Sequence, residues 1–188
     1  MNYITKNITA DKSIGSEKTQ LIQESEIVLR DNQPDIDIIL KCDANIIPEE
    51  SHTEENRLSY KGRILINILY CGKDKGVHSV STEIPVNDFI NIEGASADML
   101  SNINADISNT ECKKINDRKI SCKVMSEIRG SITDTAEIEA ITDLYDIPRE
   151  QQQFANVSTS RTLCQKRENF SVTEDVSLPA TKLPISEI

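Results

Sequence analysis

The sequence is poor in the residues that catalytic, cofactor-binding and sugar-binding sites use most. It has no tryptophan, three Phe, four Tyr, two His and six Gly. Glycine-rich phosphate loops, Gly-x-Ser-x-Gly and Cys-x-x-Cys are all absent. The first eleven residues lack the apolar run of a signal peptide, and no apolar stretch reaches the length of a membrane span. These absences predict a protein that is not an enzyme, uses no cofactor or metal, and inserts in no membrane.

The few residues that offer chemistry have simpler explanations. His52-Thr-Glu54 has the His-x-Glu spacing of zinc deaminases, but the Pro-Cys-x-x-Cys that completes their site is missing. Asp35 and Asp37 lack the glycine and the bidentate glutamate that would complete an EF-hand loop. We therefore predict surface positions for these side chains.

The charge balance is acidic. The chain has 31 acidic and 21 basic residues, a formal net charge of −10 at pH 7. Such a surface repels nucleic-acid phosphates, and no basic stripe with interleaved aromatics relieves that repulsion. We therefore expect no nucleic-acid partner.

Five cysteines are present, an odd number with wide spacings. Their pattern fits neither a zinc site nor a thioredoxin-like pair. In a cytosolic protein the default is reduced thiols. The alternative is cross-linking between subunits in an oxidising setting. The cross-link candidates are Cys42, Cys71, Cys112, Cys122 and Cys164.

The hydrophobic pattern is that of β-strands. Isoleucine, a β-branched residue that favours strands, is the commonest apolar residue. Residues 57–71 alternate apolar and polar side chains, and the turn at 71–76 leads to a return strand at 77–86. Further strands are predicted at 21–30, 102–110, 119–131, 137–145, 154–162 and 170–178. The fold class is mainly β, an antiparallel sandwich or barrel-like sheet with one short helix near residues 34–41.

The last nineteen residues resemble residues 21–39 at a constant offset of 149 positions. Leu29 corresponds to Leu178 and Ile36 to Ile185. We therefore divide the chain into a flexible leader (1–19), a β-rich domain (20–163) and a final segment (164–188). That segment is either the start of a second repeat or an exchangeable tail strand.

Four short motifs in a fixed order resemble the SPOCS repeat domain of clostridial spore-coat morphogenetic proteins. They are Pro34-Asp35-Ile36-x-x-Ile39-Leu40, Tyr60-x-Gly62-x-x-x-x-x-Ile68-Leu69-Tyr70, Val77-His78-Ser79-Val80 and Arg118-Lys119-Ile120. The resemblance covers roughly residues 20–160. It implies a role in building the coat around the developing spore, and it brings no catalytic residues. Members of the family often carry a LysM domain and are linked to the ATPase that forms the base layer of the coat.

These inferences predict a non-catalytic structural or adaptor protein of spore-coat or outer-envelope assembly. It would be made in the mother-cell cytoplasm and act through contacts with other spore-coat proteins, the base-layer ATPase among them, or with itself by strand exchange. The alternative is a binding module for a glycan or peptide on the spore surface, which an exposed cluster of tyrosines would favour. The predicted interaction residues are Phe170, Val172, Val176, Leu178 and Ile185.

Overall fold

The computed structural model describes residues 2–163, 165–166, 168, 170 and 172–173. Six long strands make up most of this part of the chain, and a single 3-10 turn follows them at Arg149–Gln151. The strands are β1 (Tyr3–Val28), β2 (Ile36–Glu54), β3 (Arg57–Gly72), β4 (Val77–Asn91), β5 (Leu100–Asn116) and β6 (Lys119–Leu144).

The strands form two antiparallel sheets of three strands each. The first sheet has the order β1-β6-β5 and the second has the order β2-β3-β4. The two sheets pack face to face around one aliphatic core. The prediction of a mainly β antiparallel sandwich is therefore confirmed, and its barrel-like variant is not formed by the described strands.

The alternation predicted for residues 57–71 is present in β3, and its apolar face forms part of the core. The side chains at alternate positions are buried, and the residues between them are exposed or half-buried; the buried ones are Leu58, Tyr60, Ile64, Ile66, Ile68 and Tyr70. β4 returns beside β3, from Cys71 opposite Val77 to Arg57 opposite Asn91, and confirms the predicted hairpin.

Gly62 marks an irregularity in β3, as the sequence predicts. It lies opposite Pro48, and the pairing of β2 with β3 shifts between Pro48 and Glu50. A Cβ at Gly62 would lie 2.4 Å from the carbonyl oxygen of Ile47, so only glycine allows the two backbones to approach this closely.

The short helix predicted near residues 34–41 is wrong, because β2 begins at Ile36. Ile36 is fully buried while Ile38 is 58% exposed, because the pairing register of β2 with β3 shifts between these two residues. The proline and acidic residues of the segment favour a helix start locally. Pairing with β3 and the β-branched isoleucines outweigh those local signals.

The N-terminal residues differ from the expected flexible leader. β1 starts at Tyr3 and pairs with β6 over its whole length, from Tyr3 opposite Leu144 to Val28 opposite Lys119. The predicted strand at 137–145 is the end of the same β6 that carries residues 119–131. Each of these polar segments finds its pairing partner more than a hundred residues away, which local pattern does not reveal.

The two last predicted strands are not confirmed. Residues 154–162 form no strand, although the amide of Asp11 donates a hydrogen bond to the carbonyl of Ser160 over 3.0 Å. Most of 170–178 lies outside the described residues. Among the described residues, no helix has the length and apolar character needed to cross a membrane.

Candidate functional site

The first sheet extends beyond the second as a two-stranded arm. We define the arm as Tyr3–Ser13 of β1 paired with Thr133–Leu144 of β6. β5 begins at Leu100, which lies opposite Thr133, so the arm has no third strand. None of its residues is buried, whereas β6 buries a residue at every second position from Ile120 to Ile132.

One face of the arm carries most of its aliphatic side chains, together with Lys6, Lys12 and Asp134, and continues the core-facing side of β6. Paired residues of an antiparallel ribbon share a face, and alternate residues along each strand do so too. Ile8 lies opposite Ile138, in line with the buried Ile128 and Ile132. The apolar members of this face are Ile4, Ile8, Ala10, Ala136, Ile138 and Ala140. Ile138 is 49% exposed, so large aliphatic surface remains open to solvent.

The two strands of the arm differ in charge. The β1 part carries Lys6, Lys12 and Asp11, which sum to +1. The β6 part carries four acidic residues and no basic one, which sum to −4. The acidic residues are Asp134, Glu137, Glu139 and Asp143. The edges of the arm are therefore complementary in charge to one another.

The chain after β6 returns to the arm. Asp11 accepts hydrogen bonds at Oδ2 from the backbone amide and the hydroxyl of Thr162, over 2.9 and 2.6 Å. Of the predicted interaction residues, Phe170 and Val172 are 89% and 79% exposed. The others, Val176, Leu178 and Ile185, lie outside the described residues.

Three of the five cysteines come together where the edge strands of the two sheets meet. Cys42 of β2 and Cys112 of β5 form a disulfide within the chain, with 6.3 Å between their Cα atoms. Cys122 of β6 is paired opposite Cys112, with 3.0 Å between the two sulfur atoms. Burial raises the pKa of the Cys122 thiol to about 11. Cys71 is a free cysteine outside this cluster, and Cys164 lies outside the described residues.

This arrangement differs from the five reduced thiols expected of a cytosolic protein. The disulfide connects strands of one chain rather than two subunits. The sequence alone did not indicate the cluster, because its members lie on three separate strands at spacings that match no local metal or redox motif.

Four of the motif residues that resemble the SPOCS domain meet at the end of the sandwich opposite the arm: Pro34, Asp35, Tyr70 and Arg118. The Arg118 guanidinium donates to the Asp35 carboxylate over 2.9 Å and to the carbonyl of Arg30 over 2.7 Å. The Tyr70 hydroxyl donates to the carbonyl of Pro34 over 3.3 Å. These contacts hold the connection between β1 and β2, where the chain passes from one sheet to the other. These four residues therefore have a structural role.

A charged cluster surrounds this end. Asp117 binds Lys73 and also Lys114, whose Nζ lies 2.9 Å from Asp117 Oδ1. Hydrogen bonds from these two ammonium groups lower the pKa of Asp117 to about 2. His78 Nε2 lies 3.0 Å from Asp74 Oδ2, and a hydrogen bond from the Gly76 amide is the largest cause of the lowered pKa of Asp74. These groups provide one another's hydrogen-bond partners, as expected of side chains with a structural role.

The remaining candidates for chemistry are dispersed. His52 is exposed and contacts Glu54 over 3.0 Å. Tyr60 and Tyr70 are buried in the core, and Tyr3 and Tyr145 lie exposed at the tip of the arm. The four tyrosines therefore do not form the exposed cluster that would favour a sugar-binding face. Within the described residues, the three cysteines are the one group of His, Cys, Asp or Glu close enough to hold a metal ion.

Comparison with known proteins supports the resemblance found in the motifs. Residues 35–115 match the family model described as SipL, SPOCS domain. These residues carry a SPOCS-type domain. The match associates the chain with sporulation and covers β2 to β5. No curated protein and no solved structure matches this chain.

The arm lies outside the matched residues and is a second feature that sequence reasoning missed, after the cysteine cluster. A signal was present in the alternation of Ile4, Ile8 and Ala10 with polar neighbours. The polar character of residues 1–19 favoured interpretation as a leader.

Proposed function

We propose that this protein is a non-catalytic structural or adaptor protein of spore-coat or outer-envelope assembly, and that its arm forms the assembly contact. The SPOCS-type match supports the association with sporulation. The observation that carries the assembly role is the apolar face of the arm, which continues the core side of the first sheet without a covering sheet.

An isolated two-stranded ribbon is marginally stable in water, because it buries little apolar surface. Covering the apolar face of the arm removes Ile4, Ile8 and Ile138 from solvent and stabilises the ribbon. Each fully buried aliphatic side chain contributes about 1.5–3 kcal/mol relative to an exposed one. The arm therefore gains stability by association.

The partner that fits best is a second copy of this chain. The β1 edge of one arm carries a charge of +1 and the β6 edge of the next carries −4, so opposite edges attract and like edges do not. Contacts between different edges are head-to-tail, and such contacts build chains of subunits rather than closed dimers. This geometry suits a protein layer.

Other coat proteins complete the assembly in this proposal. They include the ATPase of the coat base layer, and the protein moves from the mother-cell cytoplasm to the spore surface by binding them. Strand exchange through residues 164–188 is a second contact, because the described chain returns to the arm at Thr162 just before that segment.

Size-exclusion chromatography with light scattering on residues 1–188 tests the proposal, with Ile8→Lys and Asn7→Lys as a matched pair. The two positions are adjacent, lie on opposite faces of β1, and receive the same charge. We expect the wild-type protein and Asn7→Lys to form concentration-dependent oligomers. The Ile8→Lys variant should remain a monomer, because the apolar face then carries an unpaired ammonium group.

Two results would oppose the proposal: a monomeric wild-type protein at high concentration, or equal association of both variants.

Fluorescent fusions in sporulating cells test the partners, and the expected result is a signal at the forespore surface. A truncation after residue 163 separates the tail from the arm. Assembly through the arm alone survives this truncation, and assembly by strand exchange does not.

A further inference from the structure

The sulfur atoms of Cys42, Cys112 and Cys122 lie within 4.8 Å of one another at the junction of β2, β5 and β6. Cys122 is fully buried, and the other two are partly buried. Backbone pairing fixes two of them, since Cys112 and Cys122 are direct partners in the β5–β6 ladder. Cys42, the third member, lies on β2 of the other sheet, so the cluster forms only when the two sheets pack together.

We propose that the reduced form of this cluster is a binding site for a soft, thiophilic metal ion, with Cu(I) as the expected ion. Thiolates are soft ligands, and sites built from them select Cu(I), zinc or iron–sulfur clusters. Three thiolates spaced evenly around a metal at about 2.3 Å lie about 4 Å from one another. Cys42 and Cys112 are bonded in the disulfide and the Cys112 and Cys122 sulfur atoms lie 3.0 Å apart, so the site forms only when the disulfide is reduced and the three sulfur atoms separate toward that spacing.

The number of ligands decides between the soft ions. Structural zinc sites are tetrahedral and need four protein ligands. Among the described residues, no further His, Cys, Asp or Glu joins the three cysteines. Three-coordinate thiolate binding satisfies Cu(I), a d¹⁰ ion that accepts trigonal geometry, whereas zinc would need a water molecule or another group as its fourth ligand.

The disulfide between Cys42 and Cys112 is the oxidised alternative to the metal site. Formation of this disulfide removes two electrons and two protons from the Cys42 and Cys112 thiols. Glutathione disulfide accepts these two electrons and two protons and becomes two glutathione molecules. Reduction by dithiothreitol reverses the step and oxidises the dithiol to its cyclic disulfide. Because only one sulfur of the cluster remains free in the oxidised form, that form should not hold the ion.

The test uses the full chain, reduced and handled without oxygen, and titrated with Cu(I) in competition with a coloured Cu(I) chelator. We expect the wild-type protein to retain one Cu(I) per chain. The oxidised protein, with the Cys42–Cys112 disulfide verified by peptide mapping, should retain none. Cys42→Ser, Cys112→Ser and Cys122→Ser should each weaken retention at least tenfold, whereas Cys71→Ser and Cys164→Ser should not.

Circular dichroism of each variant separates loss of the site from loss of the fold. Cys42 and Cys112 are partly buried, so their serine variants remain informative if Cys122→Ser fails to fold. Retention that is unchanged in all three cluster variants would assign the ion to another part of the chain and overturn the proposal. Preference of the reduced protein for Zn²⁺ over Cu(I) would overturn the choice of ion, and loss of binding in Cys164→Ser would overturn the three-ligand assignment.

Discussion

The same two strands behave differently in the body of the sandwich and in the arm. From Ile120 to Ile132, every second residue of β6 is buried against the second sheet. From Asp134 to Ala140 the alternation continues along the same face, but none of these residues is buried. The pattern of side chains is common to both regions. The difference is the covering sheet, so alternation decides which face is apolar and packing decides whether that face is buried.

The largest expected change in stability comes from comparing two truncations on β6, Ile128→Ala and Ile138→Ala. Both residues lie on the same face of β6, one fully buried and one 49% exposed. Truncating a buried isoleucine costs about 2–5 kcal/mol, because it leaves a cavity. We expect that loss of unfolding free energy for Ile128→Ala and at most about 1 kcal/mol for Ile138→Ala, since surface truncations change stability little. Urea unfolding of dilute, monomeric protein measures both.

Equal losses for the two variants would mean that the arm is covered in the monomer. In that case the covering segment comes from this chain, and the truncation after residue 163 would identify it.

A smaller difference in unfolding free energy is expected between variants of two tyrosines in the body of the sandwich. Tyr60 and Tyr70 are both buried in β3, but only Tyr70 donates its hydroxyl proton to a carbonyl, that of Pro34. The Tyr60 hydroxyl has no hydrogen-bond partner within the described residues, and burial raises its pKa to about 12. Tyr70→Phe should lower the unfolding free energy by about 0.5–1.5 kcal/mol, and Tyr60→Phe should leave it unchanged or raise it. A loss in Tyr60→Phe as large as that in Tyr70→Phe would contradict this assignment.

The smallest effect concerns pH at the end of the body away from the arm. The pKa of Asp117 is about 2 in the folded protein, against a usual 3.8. A carboxylate with a lowered pKa contributes stability above its unfolded pKa, and this contribution is lost as the pH falls toward the folded value. We expect Asp117→Asn to be less stable than the wild type above pH about 4, with the difference shrinking toward pH about 2. Thermal unfolding across this pH range measures the difference, and a constant difference would rule out Asp117 as its source.

Much of the fold could be predicted from local pattern. The strand at 57–71, the turn at 71–76 and the return strand follow from alternation and turn residues, which act over a few positions. The segment from Pro34 to Lys41 was assigned to a helix because its proline and acidic residues are helix-start signals, and pairing with β3 outweighed them. The candidate sites were harder to predict. The arm joins residues more than a hundred positions apart, and the cysteine cluster joins three strands from two sheets.

The sequence by itself determined the strand-rich class, the apolar face of strands such as β3 and the resemblance to the SPOCS domain, because alternation and short motifs act locally. Tertiary structure alone decided which apolar face would be buried and which would remain open on the arm. It also decided which three of five cysteines would meet. Burial and proximity depend on the register and packing of distant strands, and the local pattern of side chains does not contain that information.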